Sequence, residues 1–294
     1  MWIVLVLIYG ILKGLRDISK KKALEKNGVI EVLFVYTLIA FILVLPEARS
    51  AGGVATKDML LTAFKSFIIF VAFICSFYAI EKMPISLYGI VDLSRMIFSM
   101  LLGMIVLGET LEVFQWTGMA LVMLGLLLLK YKPAFLKKKE SVSKDIAPKS
   151  KDSLAAYILV LAFISTFLNA VSGTLDKILM RTMTSGQLQF WYMLYMLIYY
   201  AIYVIITRTK INWKTVLKNY HIWAIAIMFI IADRCLFIAN GDPNSAVTVM
   251  TILKQVCVIV TIIGGRIFFK EKDIAYRIFC AVIVSAGIVL SVLH

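Results

Sequence analysis

The chain has 294 residues, 62% of them hydrophobic and only 16% charged, with a mean hydropathy of +0.93 and a formal net charge of +14. An ordinary soluble domain is roughly half apolar, so a water-exposed globule of this size is excluded. The surplus of Lys and Arg does not point to nucleic acid either, because those residues fall mainly in the stretches between long apolar runs.

The apolar runs approach the ~20 residues that a helix needs to cross the hydrocarbon core of a bilayer. A segment crossing alone must satisfy its own backbone hydrogen bonds, so the runs read as helices. The period-2 alternation of a membrane barrel is absent. Ten spans are predicted, over residues 2–20, 29–46, 59–80, 84–107, 111–130, 154–180, 187–207, 218–239, 244–269 and 274–293. The expected fold class is therefore all-α, a polytopic membrane protein. The first span carries Lys13, Arg16 and Asp17 in its second half. It lacks a basic n-region and a small-residue cleavage site, and is expected to be retained. Between the fifth and sixth spans, residues 131–152 read YKPAFLKKKESVSKDIAPKSKD. This basic stretch, with its Ser and Pro, is expected to be a flexible linker between 1–130 and 153–294.

The two parts repeat. An offset of 159 places Gly14 on Gly173, Asp17 on Asp176, Tyr36 on Tyr195, Pro84 on Pro243, Ser86 on Ser245 and Arg95 on Lys254. After a three-residue insertion, Glu109 meets Glu271 and Gly125 meets Gly287. A shared offset along most of each half indicates duplication. Five spans is an odd number, so the second copy enters the bilayer from the opposite side. Ten helices as two inverted five-helix repeats is a plan of secondary transporters, with the substrate site near the midplane. Lys and Arg crowd the connectors after the odd-numbered spans, whereas Arg49, Lys57 and Arg181 are what the other side holds. The positive-inside rule then makes the 131–152 linker cytoplasmic and both termini extracytoplasmic in a cell membrane.

The stretches YAIEKMPIS (78–86) and VLGETLEVFQWTGMALVMLGLLLL (106–129) carry a resemblance. With Gly108, Glu109, Gln115, Gly118 and Gly125 in place, the chain resembles the EamA-type branch of the drug/metabolite transporter superfamily. DPNSAVTVM (242–250) and FFKEKDIAYRIFCAVIVSAGIVL (268–290) repeat the pattern weakly, with Lys270 in place of the glycine. The resemblance implies a ten-helix carrier whose cavity is lined by the fourth and ninth helices, with the first, third, sixth and eighth nearby. The chain departs from that pattern in having Tyr9-Gly10 where Trp-Gly is usual, and in lacking an arginine in the second helix. Better-known relatives also keep both termini in the cytoplasm.

Charged residues inside spans mark the candidate site, because a charge at the bilayer centre costs about 2.5–3.5 kcal/mol on the insertion scale. Asp92 and Arg95 share a helix face. Lys254, beside Gln255, stands at the place equivalent to Arg95, Asp233 and Arg234 are adjacent in the eighth span, and the sixth carries Asn169, Asp176 and Lys177. A self-neutralising pair that locks two helices is the plain reading of Asp92 and Arg95; a polar chamber is the sharper one. Arg95, Arg234 and Lys254 outnumber Asp92 and Asp233, which suits a carboxylate or phosphate on the substrate. Gln255, Asn169, Trp191 and Tyr195 complete the candidate substrate contacts, while Asp92 and Asp233 are the candidates for charge balance and proton loading. Tyr192, Tyr195, Tyr199 and Tyr203 form a stripe whose plain reading is packing or an interfacial belt and whose sharper one is a ring of donors for a sugar or aromatic substrate. Lys13, Arg16 and Lys65 are expected to snorkel from span ends, Lys20 to Lys22 to anchor the cytoplasmic side, and Glu109 and Glu271 to sit at their own helix starts.

Catalysis is not expected. His221 and His294 are the histidines, no HExxH or phosphate-cradling glycine loop occurs, and Cys75, Cys235, Cys257 and Cys280 match no metal pattern. No cofactor and no metal are expected. The partners expected are a small-molecule substrate and the lipid bilayer; oligomeric state stays open, a homodimer included. The leading reading is a secondary transporter for a small polar, carboxylate- or phosphate-bearing metabolite (amino-acid-like or similar). A flippase for a lipid-linked head group and a non-transporting membrane scaffold are the rivals.

Overall fold

The computed structural model describes residues 1–83, 85, 88, 91–92, 94–110, 112–130, 150–269 and 274–290, and among these there is no β-strand. In chain order the helices are α1 (Trp2–Leu24), α2 (Val29–Val44), a 3-10 turn (Leu45–Ser50), α3 (Thr56–Lys82), α4 (Ser94–Leu107), α5 (Val113–Lys130), α6 (Ser150–Leu179), α7 (Ser185–Thr207), the short α8 (Trp213–Lys218), α9 (Tyr220–Gly241), α10 (Val247–Leu253), α11 (Val256–Phe269) and α12 (Ile274–Leu290). Pro84, Ser86, Lys270, Glu271 and His294, and the linker up to residue 149, lie outside the described residues.

Local chemistry sets several boundaries. The Glu31 carboxylate accepts from the Gly28 amide at 3.0 Å and starts α2. Thr184 and Gln187 form a reciprocal capping box at the head of α7, with bonds of 2.9 and 3.2 Å. Arg208 ends that helix in the left-handed conformation, at φ 50°.

Six of the described segments are helical, long and apolar enough to cross a membrane: 29–50, 56–82, 156–179, 185–207, 220–241 and 247–269. Two shorter apolar helices, 94–107 and 113–125, accompany them. The distribution of side chains is that of a multi-pass membrane protein. Ile105 and Ile206 are 78% and 75% exposed, while Lys65 is 1% exposed. In water that arrangement would be strongly unfavourable; against lipid it is the expected one.

α1 packs on α9 and α11, α3 on α6 and α7, α4 on α6 and α10, α2 on α7 and α9, and α5 on α12. The α5–α12 contact is close enough that a Cβ on Gly287 would lie 2.6 Å from the Gly118 carbonyl oxygen, so small residues are required there. One apolar core joins α2, α3, α7 and α9 around Leu33, Tyr36, Phe77, Leu188 and Phe229. A second joins α4 with α10 and α11 around Met96, Met250 and Leu253.

Lys22, Lys26, Lys214, Lys218 and Phe268 line one cleft of about 600 Å³. At the even connectors, the Gln187 side chain donates to the Gly52 carbonyl at 2.8 Å and Lys177 donates to the Asp242 carbonyl at 2.8 Å.

Candidate functional site

α1, α3, α4, α6, α7, α9 and α10 converge on a cavity of about 50 Å³, walled by Tyr9, Arg16, Lys65, Arg95, Asn169, Gly173, Asp176, Tyr192, Phe229, Asp233, Thr251 and Lys254. Such a volume holds on the order of four waters. Its position among the helices matches the one the family resemblance implies.

The backbone is broken where the cavity meets Lys254. Residues 254 and 255 form a turn between α10 and α11. The amides of Gln255, Cys257 and Val258 donate to carbonyls three residues back, at 2.9–3.0 Å. This tight i→i+3 pattern in the middle of an apolar span frees the regular ladder there. α1 closes on the break: a Cβ on Gly14 would lie 2.8 Å from the Cys257 carbonyl oxygen.

Around this frame the ion pairs divide unevenly. Asp92 accepts from Lys13 at 2.7 Å and is paired with Arg95. Asp17 is paired with Lys20 at 2.8 Å and with Lys13 at 3.5 Å. Asp176 is 2.5 Å from the Lys65 ammonium. Asp233 lies 3.9 Å from Arg16, beyond hydrogen-bond reach, and Arg16 Nε and Nη1 are buried with no hydrogen-bond partner among the described residues. Arg95 Nε is likewise buried and unpartnered. Lys254 is buried, and among the described residues its ammonium has no carboxylate partner; its neighbour is the Tyr9 ring, 5.4 Å from Nζ to centroid. Aromatic faces support the other cations too: the Arg16 guanidinium lies 4.9 Å over Phe229, and Lys65 3.8 Å over Tyr192.

The predicted site residues are therefore sorted by the fold. Arg95, Lys254, Asn169 and Asp233 come together on the cavity wall. Asp92 stands behind Arg95 and lines a separate pocket of about 10 Å³ with Lys13, Asp17 and Tyr88. The structure does not bring Arg234, Gln255, Trp191 or Tyr195 to the cavity. Arg234 turns away to pair with Glu47 on the 3-10 turn. Gln255 donates to the Thr251 carbonyl at 3.0 Å. The Trp191 indole donates to the Ala51 carbonyl at 2.9 Å, and Tyr195 stacks on Trp191 with ring centroids 6.0 Å apart. Of the tyrosine stripe, Tyr192 reaches the cavity, whereas the Tyr199 hydroxyl donates to the Ala63 carbonyl at 3.1 Å.

Other expectations are corrected. Lys13, Arg16 and Lys65 do not snorkel; all three are buried. α1 runs to Leu24 and α3 begins at Thr56, so these residues sit well inside their helices. Lys20 is not a surface anchor but a buried partner of Asp17, and Lys21 donates to the carbonyls of Ile80, Glu81 and Met83 at 2.7–3.1 Å. Glu109 does cap a helix, though not its own. Its carboxylate accepts from the Val247 and Thr248 amides at 2.6 and 3.2 Å and from the Thr248 hydroxyl at 2.8 Å, closing the head of α10.

Residues 1–131 match the model of the EamA-like transporter family, so over this stretch the likeness to the drug/metabolite transporter superfamily holds. No curated protein matches the chain. A crystal structure of another protein superposes at a TM-score of 0.70 over 98% of this chain and 95% of its own, with 12% identity. At that identity the likeness is one of fold.

Proposed function

We propose that this EamA-like membrane protein is a secondary transporter for a small anionic metabolite, moved by alternating access between two inverted five-helix repeats. The observation that carries the reading is Lys254, a buried cation facing a cavity with no carboxylate of its own among the described residues. A charge in that state is costly unless something supplies the opposite sign, and a substrate carboxylate or phosphate does so. Arg95 and Lys254 hold the anion, Asn169 adds a polar wall, and Asp92 and Asp233 balance charge, with Asp233 the nearer candidate for carrying a proton. The cavity also weighs against a scaffold with a filled core.

Helix packing supports the repeat and the ten-span count. Exchanging the first five spans for the second five turns the α1–α9 contact into α6–α3, α1–α11 into α6–α4, and α2–α9 into α7–α3. The α2–α7, α4–α10 and α5–α12 contacts map onto themselves. The basic connectors gathered on one cleft support a cytoplasmic linker and extracytoplasmic termini in the cell membrane.

Proteoliposomes test the reading. Arg95→Ala and Lys254→Ala are expected to insert and fold yet to lose uptake of the anions that the native protein carries. Native-level transport by both variants would remove the proposed site, and transport of long-chain lipid-linked substrates instead would favour head-group translocation.

A further inference from the structure

Lys177 apart, whose ammonium donates to the Asp242 carbonyl and the Ser245 hydroxyl, the buried charges around the cavity and the pocket behind Arg95 do not cancel. On one side of the cavity Lys13, Lys20 and Arg95 share the carboxylates of Asp17 and Asp92. On the other, Arg16, Lys65 and Lys254 face Asp176 and Asp233. Each set has three cations for two carboxylates, so two positive charges remain unmatched among these buried groups. Both surpluses surface at the same place. In the first set Lys20 and Lys13 are held at 2.7–2.8 Å, while Arg95 shares Asp92 with Lys13 and turns an unpartnered Nε into the protein interior beside the cavity. In the second set Lys65 is held at 2.5 Å, while Arg16 stands 3.9 Å from its carboxylate and Lys254 has none among the described residues.

We propose that the occupant of this cavity is a compact dianion, either a phosphate monoester or a short dicarboxylate; this inference rests on the anion-transport reading above. Two negative charges bring the buried cluster to neutrality, which one charge does not. The free donors of Arg16 and Arg95 and the ammonium of Lys254 supply several charge-assisted hydrogen bonds, the number that a phosphoryl group or a pair of carboxylates can accept. The cavity, about 50 Å³, favours a short occupant over a long-chain one.

The 159-residue offset indicates how to cancel the surplus. At the 159-residue offset Asp92 falls on Thr251 and Lys13 on Ser172. Thr251 lines the cavity one turn before Lys254, with its hydroxyl donating to the Val247 carbonyl at 2.8 Å. Thr251→Asp places beside Lys254 the carboxylate that Arg95 already has.

The test uses the purified full-length protein at constant ionic strength. Thermal stabilisation is titrated with glycerol phosphate and succinate, and against these with acetate and lactate, which carry one charge each. Glycerol phosphate or succinate is expected to bind at least about tenfold more tightly than either monoanion, and the stronger of the two identifies phosphoryl or dicarboxylate chemistry. Thr251→Asp is expected to weaken the preferred dianion by about tenfold and to leave acetate or lactate as the better ligand. Should that variant fail to fold, Thr251→Glu places the same charge one methylene further out and carries the same expectation. Equal binding of monoanions and dianions by the native protein, or a dianion preference untouched in the folded variant, overturns the inference while the anion reading stands. Stabilisation by none of the four anions removes both.

Discussion

The two halves place related residues at matching positions and use them differently. In the first, Asp92 bridges Lys13 and Arg95, and the carboxylate is satisfied from both sides. In the second, the matching positions are Thr251, Ser172 and Lys254, and the ammonium is left facing a cavity. The glycines follow the same split. Gly14 is packed by the carbonyl of Cys257, whereas nothing lies within 4 Å of where a Cβ on Gly173 would be. Around Asp92 the first half is closed by ion pairs and close helix contact, whereas at the matching positions of the second half Lys254 and Gly173 face the cavity.

That contrast can be broken hardest at Asp92. Asp92→Ala strands Lys13 and Arg95 in the interior and is expected to cost about 3–5 kcal/mol, read as a loss of thermal stability in detergent. The glycine pair sharpens the comparison next. Gly14→Ala is expected to destabilise by about 1–3 kcal/mol through overpacking, while Gly173→Ala leaves the melting temperature unchanged or higher and slows transport by filling the cavity. Lys254→Met is expected to move stability the opposite way from Asp92→Ala, with a gain of about 1 kcal/mol from removing a buried unpaired cation, alongside lost anion response. A loss of stability in Lys254→Met as large as that of Asp92→Ala would show the two halves to be built alike. The smallest effect belongs to the half-exposed pair of Arg234 and Glu47: Glu47→Gln is expected to change stability by less than about 1 kcal/mol.

Much of this was legible in the residues themselves. Hydropathy gives the membrane class, and the offset that lays Lys254 on Arg95 picks out two cavity cations without coordinates. Asn169 and Asp233 follow from the cost of polar groups within apolar runs. Arg16, Lys65 and Asp176 were harder to place. Distance to the nearest span end is a poor guide to depth in the bilayer, because α3 starts earlier than the apolar run does. Lys65 is the tenth residue of that helix, roughly 15 Å from its start at 1.5 Å per residue, about half the hydrocarbon thickness. Arg234 misleads in the reverse sense. Its partner Glu47 sits on a 3-10 turn folded back over the bundle, and a periodicity argument contains no information about where such a turn goes. Tyr192 was visible as part of a stripe, but which member of a stripe faces inward depends on the rotation of α7, and that is set by its neighbours.

The carboxylate that Glu109 lays across the first amides of α10 ties two distant parts of the chain into one mechanical unit. The helix it clasps is seven residues long and stops at the break beside Lys254. Seven residues span about 10 Å, so the clasp and the Lys254 ammonium stand at opposite ends of one short rod, while α11 beyond the break packs on α1.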